Sequence, residues 1–181
     1  MDNFSERAAI KQFEAGLEQV DAEAQARAEI RNQHPLDTGL ELRQYQAEAV
    51  ENLRNSIRQG HRRPLLVSPC ASGKTHIFRK IISGAVEKGN RVLFLAPRRE
   101  LIYQTCDKLW DAGIDYGIVM AGEKRRMFAS VQVASVPTLA RRLDEHGDSV
   151  LPMAEVIGVD EAHLSVNAST QAILACYPQA V

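Results

Sequence analysis

Two stretches of this chain carry residue types that could do chemistry together. "SPCASGKT", residues 68–75, ends in Gly73-Lys74-Thr75. Those three types in that order suit a phosphate group. Glycine lets backbone N–H groups come close to an anion, an ammonium adds positive charge, and a hydroxyl can ligate a divalent cation. The head of the stretch departs from the strict G-x-x-x-x-G-K-[ST] pattern, since Ser68 stands where that pattern has glycine. "VIGVDEAH", residues 156–163, runs four largely apolar residues into Asp160 and Glu161. A carboxylate pair delivered by the end of a buried strand can hold Mg2+ with one member and draw a proton from water with the other. Each stretch also has a plainer reading: a helix start that happens to spell GKT, and Asp160 as an ordinary N-cap. The two lie about 85 residues apart in one chain, and their joint presence favours a shared site.

Such a site needs elements to hold it. "LRQYQAEAVENLRNSIRQG" reads as an amphipathic helix ended by Gly60. "PLLVS" is expected to be a short buried strand feeding the loop, and "KTHIFRKIISGAVEKG" the helix leaving it, closed by Gly89. "RVLFLA" is a second apolar strand, followed by a helix from about Arg98 to Ala112. "YGIVM" and "VQVAS" are further strands, "VPTLARRLDEHG" a helix, "EVIGVD" a buried strand and "NASTQAILACY" a helix. Apolar runs, where a half-exposed strand would alternate, imply strands covered on both faces. Strand-helix alternation then implies an α/β fold with a mostly parallel, doubly wound sheet in three layers.

An arm precedes this region. Over residues 3–33, Ile10, Phe13, Leu17, Val20 and Ala24 recur at steps of three and four, a narrow apolar helical stripe. It either docks on its own domain or offers a coiled-coil contact to a helical partner. Pro35 and Gly39 in "NQHPLDTG" break the pattern, giving an arm and linker over 1–38 and a domain over 39–181. The whole chain has 181 residues, 45% hydrophobic and 25% charged, which suits one domain with a substantial core. The net charge of -1 advertises no global basic field, though a local patch can still grip phosphates. No apolar run is long enough to span a bilayer, and the charged N-terminus lacks a signal-peptide core. Three widely spaced cysteines form neither a disulfide framework nor a zinc pattern, which points to a reduced, cytoplasmic setting.

With these residues in view, the chain resembles the superfamily 2 helicases and translocases. "DEAH" matches their second motif, and "SPCASGKT" resembles their first, which tolerates a non-glycine first position. Ala71 is the departure, because that position is usually glycine. The resemblance implies a RecA-like domain that binds ATP with Mg2+. Ala71, Ser72, Gly73, Lys74 and Thr75 would cradle the phosphates, with Thr75 and Asp160 on the metal. Glu161 would be the general base, and His163 would couple the site to the rest of the motor. "LRQYQ" resembles the adenine-reading element, with Gln46 reading the base edge and Arg43 assisting; the alternative for Gln46 is a solvated helix residue. "APRREL" and "VASVPTLARR" resemble motifs that contact the nucleic-acid backbone, through Arg98 and Arg99 and through Ser135 and Thr138. For the two arginines the alternative is a solvated helix start. Through "LRQYQ" and "VASVPTL" the chain most resembles the restriction-subunit and repair-type translocases, over about Leu40 to the C-terminus.

In that family the motor has two RecA-like domains with ATP between them. The second domain, its arginine fingers and the Ser/Thr-Ala-Thr motif have no counterpart in these residues. The expectation is therefore the N-terminal ATP-binding domain of a DNA helicase or translocase, nearly inactive alone. The rivals are a stand-alone, non-catalytic nucleotide- or partner-binding module and, further off, a P-loop kinase.

Overall fold

The computed structural model describes residues 41–69, 72–124, 126–164 and 167–181. The arm over 1–38 and Ala71 lie outside the described residues. Helix α1 (Gln44–Arg58) is followed by α2 (Lys74–Glu87), strand β1 (Val92–Ala96), α3 (Arg99–Asp111), β2 (Tyr116–Val119) and β3 (Val131–Ser135). Then come α4 (Val136–His146), β4 (Val156–Val159) and α5 (Ala168–Ala175), with short 3-10 turns at Asp148–Val150 and Ala162–Leu164.

The four strands form one all-parallel sheet in the order β2-β3-β1-β4. β1 and β3 are buried at every position, as continuous apolar runs require when both faces are covered. On one face, Ile82 and Ala85 of α2 and Ile102, Cys106 and Leu109 of α3 pack against Phe94 and Val133. On the other, Leu139 of α4 and Ile173 of α5 pack against Leu93 and Leu95. The odd and even side chains of β1 therefore divide between the two cores, the period-2 geometry of a strand. This is the three-layer α/β architecture that strand-helix alternation implied. Among the described residues, no helix is long and apolar enough to cross a membrane.

One expected strand does not form. Residues 64–69, "PLLVSP", belong to no ladder. Leu65 and Val67 are 69% and 85% exposed, while Leu66 and Ser68 between and after them are half-buried. That alternation suits extended backbone, but a strand is defined by a partner's hydrogen bonds, which apolar composition does not report. The outer edge of β4 is instead engaged by Val181. Its N–H donates to the Glu155 carbonyl at 3.0 Å, and its carbonyl accepts from the Ile157 N–H at 2.7 Å. β4 is half-buried at all four positions, an edge strand where a doubly covered one was expected.

Gly158 shows why β4 sits where it does. A Cβ there would meet a Phe94 ring carbon at 3.0 Å and a Phe78 ring carbon at 3.3 Å. These two rings meet edge to face, 5.3 Å between centroids at 87°, so neither can swing away without breaking the other's contact. Gly158→Val is expected to lower unfolding free energy by about 1–3 kcal/mol, the usual cost of overpacking. Urea denaturation would read this as a lower midpoint at an unchanged slope. A midpoint equal to the wild type's would mean that the rings are not locked against β4.

Candidate functional site: a phosphate loop facing two carboxylates

The helix that was to receive phosphate begins at Lys74, with Gly73 as its N-cap at φ 79°. That left-handed backbone is open to glycine and costly for any residue with a Cβ. It opens a 14-residue helix, whose first-turn N–H groups and positive dipole end stand beside the loop. Lys74 Nζ donates to the Ser68 carbonyl at 3.1 Å, and the Ser68 and Ser72 hydroxyls are hydrogen-bonded. The loop is thus closed on itself from its first residue to its lysine.

β4 delivers the carboxylates. The Asp160 N–H extends the β4 ladder by donating to the Leu95 carbonyl at 3.0 Å, and its Oδ1 accepts from the Glu161 N–H at 3.0 Å. Glu161 has φ 52°, the only positive-φ non-glycine residue among those described. A left-handed conformation at a charged, non-glycine residue marks a place where the fold holds a side chain against local preference. Glu161 Oε2 lies 3.3 Å from His163 Nδ1, and both side chains are substantially exposed. Lys74, Thr75, Asp160 and Glu161 line one cavity of about 190 Å³, floored by Phe78 and Phe94. Residues from two motifs 85 positions apart are therefore brought together. Among the described residues no cluster of three or more His, Cys, Asp or Glu side chains is gathered. One carboxylate and one hydroxyl would suit a Mg2+ held largely by phosphate and water.

The adenine-reading candidates lie beside the loop. Gln46 is 5% exposed, not a solvated helix residue. Its Nε2 donates to the Ser72 carbonyl at 3.1 Å and its Oε1 accepts from the Arg43 N–H at 3.0 Å. Both ends of the amide are thus engaged within the chain. Tyr45, which the sequence reading passed over, donates its hydroxyl to the same Ser72 carbonyl at 2.9 Å. Helical periodicity gave no signal for it, because the contact spans 27 residues.

The nucleic-acid candidates lie at the C-terminal ends of neighbouring strands. Arg98 is the exposed N-cap of α3 after β1. Arg99 reaches the Tyr103 hydroxyl at 3.2 Å and sits 6.0 Å above that ring, while the same hydroxyl donates to Glu123 at 2.7 Å. The hydrogen bond that Arg99 donates to Tyr103, with the nearby Glu123 and Glu100 carboxylates, raises the Arg99 pKa above its ordinary value. Ser135 is the buried N-cap of α4 after β3, and its Oγ accepts from the Thr138 N–H at 3.5 Å. Thr138 is half-buried in the first turn of that helix.

Residues 39–181 match the family described as type III restriction enzyme, res subunit. The chain belongs to that family. It is 35% identical over 143 residues to IRC3, a Saccharomyces cerevisiae protein named for ATP-dependent helicase activity, in a match covering 74% of this chain and 20% of the relative. The chain thus spans about a fifth of that relative's length. Among solved structures, a hypothetical ATP-dependent RNA helicase from Sulfolobus tokodaii superposes with a TM-score of 0.61 at 21% identity, covering 84% of this chain and 48% of the other. The type ISP restriction-modification enzyme LlaGI, solved with a DNA substrate mimic, superposes with a TM-score of 0.57 at 20% identity, covering 74% and 16%. The fold is that of a superfamily 2 helicase RecA-like domain, and this member is a helicase-family ATP-binding domain.

Proposed function

We propose that residues 39–181 are the first of two RecA-like domains of a DNA translocase or helicase that couples Mg-ATP hydrolysis to movement. One observation carries this reading: Lys74, Thr75, Asp160 and Glu161 share a cavity at the N-terminus of α2. Gly73 and the first turn of α2 hold the phosphates with Lys74, helped by Ser72 and Ala71. Thr75 and Asp160 hold Mg2+, which when bound neutralises phosphate charge. Glu161 Oε accepts a proton from the water that approaches the terminal phosphate. His163, in contact with Glu161, passes the state of the base to the second domain. Gln46, with Arg43, offers the second N–H of its amide to the adenine edge beside its bond to Ser72.

Arg98, Arg99, Ser135 and Thr138 contact the nucleic-acid backbone and read no bases. The restriction-enzyme family match favours DNA as the track. A second domain is supported by the short share of IRC3 that this chain spans.

An arginine finger from a second domain is worth about 10³- to 10⁵-fold in rate in related phosphoryl chemistry. This chain alone is therefore expected to release phosphate from ATP barely above background, with or without DNA. A phosphate-release assay over a series of DNA and RNA oligonucleotides checks it. Vigorous, nucleic-acid-stimulated turnover by these 181 residues alone would show that one domain suffices.

A further inference from the structure

Two side chains of α1 converge on one backbone oxygen of the phosphate loop. Tyr45 Oη and Gln46 Nε2 donate to the Ser72 carbonyl at 2.9 and 3.1 Å. That oxygen and the Gly73 N–H belong to one planar peptide unit and point in opposite directions. Holding the oxygen toward α1 aims the Gly73 N–H away from α1, on the side where an anion at the helix N-terminus would sit. Gln46 Nε2 has two N–H donors, one on Ser72 and one left for a base, so the same amide serves both. Tyr45 can hold Ser72 throughout, because its role needs only the hydroxyl. The residue is 44% exposed, so burial does not explain the position it takes.

We propose that Tyr45 is a positioning residue of the phosphate loop: its hydroxyl fixes the Ser72–Gly73 peptide and keeps the cradle formed while Gln46 shares its amide with the base. The proposal rests on the nucleotide-site reading above. It separates two tasks within "LRQYQ", with Gln46 for the base and Tyr45 for the phosphates.

Calorimetric titration of Mg-ADP and, separately, of Mg-tripolyphosphate into the wild type and Tyr45→Phe tests it. Tripolyphosphate has no base and so reads the cradle alone. Tyr45→Phe removes one hydroxyl and leaves no cavity. It is expected to weaken both ligands by about 3- to 10-fold, the effect of one lost neutral hydrogen bond. Gln46→Leu is expected to weaken Mg-ADP more than Mg-tripolyphosphate. The two substitutions together should weaken tripolyphosphate by more than the product of their separate effects, because Ser72 then has neither donor. Loss confined to Mg-ADP in Tyr45→Phe would make Tyr45 a base contact and overturn the proposal, as would unchanged binding of both ligands. If the wild type bound neither ligand, the nucleotide reading itself would fail and the proposal with it, an outcome distinct from the other two.

Discussion

Gly73→Val is expected to remove most nucleotide affinity while leaving the sheet folded. Gly73 holds φ 79°, a conformation that costs a residue with a Cβ about 1–2 kcal/mol and a β-branched one more. A Cβ at this position would stand 2.4 Å from Gln46 Nε2. The amide is the free end of a flexible side chain and can move, but doing so breaks its bond to the Ser72 carbonyl, at a further cost of about 1 kcal/mol. The variant has two courses. It can keep the loop shape and carry the strain, or relax the loop and re-form it on binding. In the second case the binding-competent fraction falls and the apparent dissociation constant rises in proportion. A total of about 2–3 kcal/mol corresponds to roughly 30- to 150-fold weaker Mg-ADP. Circular dichroism should show wild-type secondary structure, since Gly73 lies outside every strand ladder. Binding within threefold of the wild type would mean that the left-handed turn is not what shapes the cradle.

The second large effect belongs to Glu161. In any form of this protein that hydrolyses ATP, Glu161→Gln is expected to lower kcat by about 10²- to 10⁴-fold, the range for removing a general base. The dissociation constant for Mg-ATP should stay the same. Glutamine matches the size of the side chain, can still bond to His163, and keeps the backbone at Asp160 and Glu161 as it is. What it loses is the ability to take up a proton. A kcat within tenfold of the wild type would move the base to another residue. A lost affinity would make Glu161 a ground-state ligand.

Much of this was legible in the sequence because apolar runs report burial directly. Val92–Ala96 and Val131–Ser135 are fully buried strands, and "RVLFLA" and "VQVAS" look like nothing else. Gly60 and Gly89 end α1 and α2 as the helix patterns indicated. "PLLVS" failed the same logic for a specific reason: its composition suits a strand, but pairing is a property of the partner. β4 likewise carries buried-strand composition at a sheet edge. At the site, the types and spacing of Lys74, Thr75, Asp160 and Glu161 anticipated their meeting. The details that govern how they work did not show. The burial of Gln46, the Tyr45 contact and the left-handed backbone of Glu161 all arise from chain segments that meet only on folding. Periodicity and motif spacing describe neighbours along the chain, and these are neighbours across it.

The central claim is that the N-terminus of α2 is a phosphate site whose lysine binds the ligand in the ground state. Calorimetric titration of Mg-ADP into this chain and into Lys74→Ala tests it most directly. The wild type is expected to bind at a single site with modest affinity, because only one face of the nucleotide is covered. Lys74→Ala should give no measurable heat of binding while unfolding at a temperature close to the wild type's. Equal, saturable binding of Mg-ADP by both proteins would contradict the account and place the nucleotide somewhere other than the loop at residues 68–75.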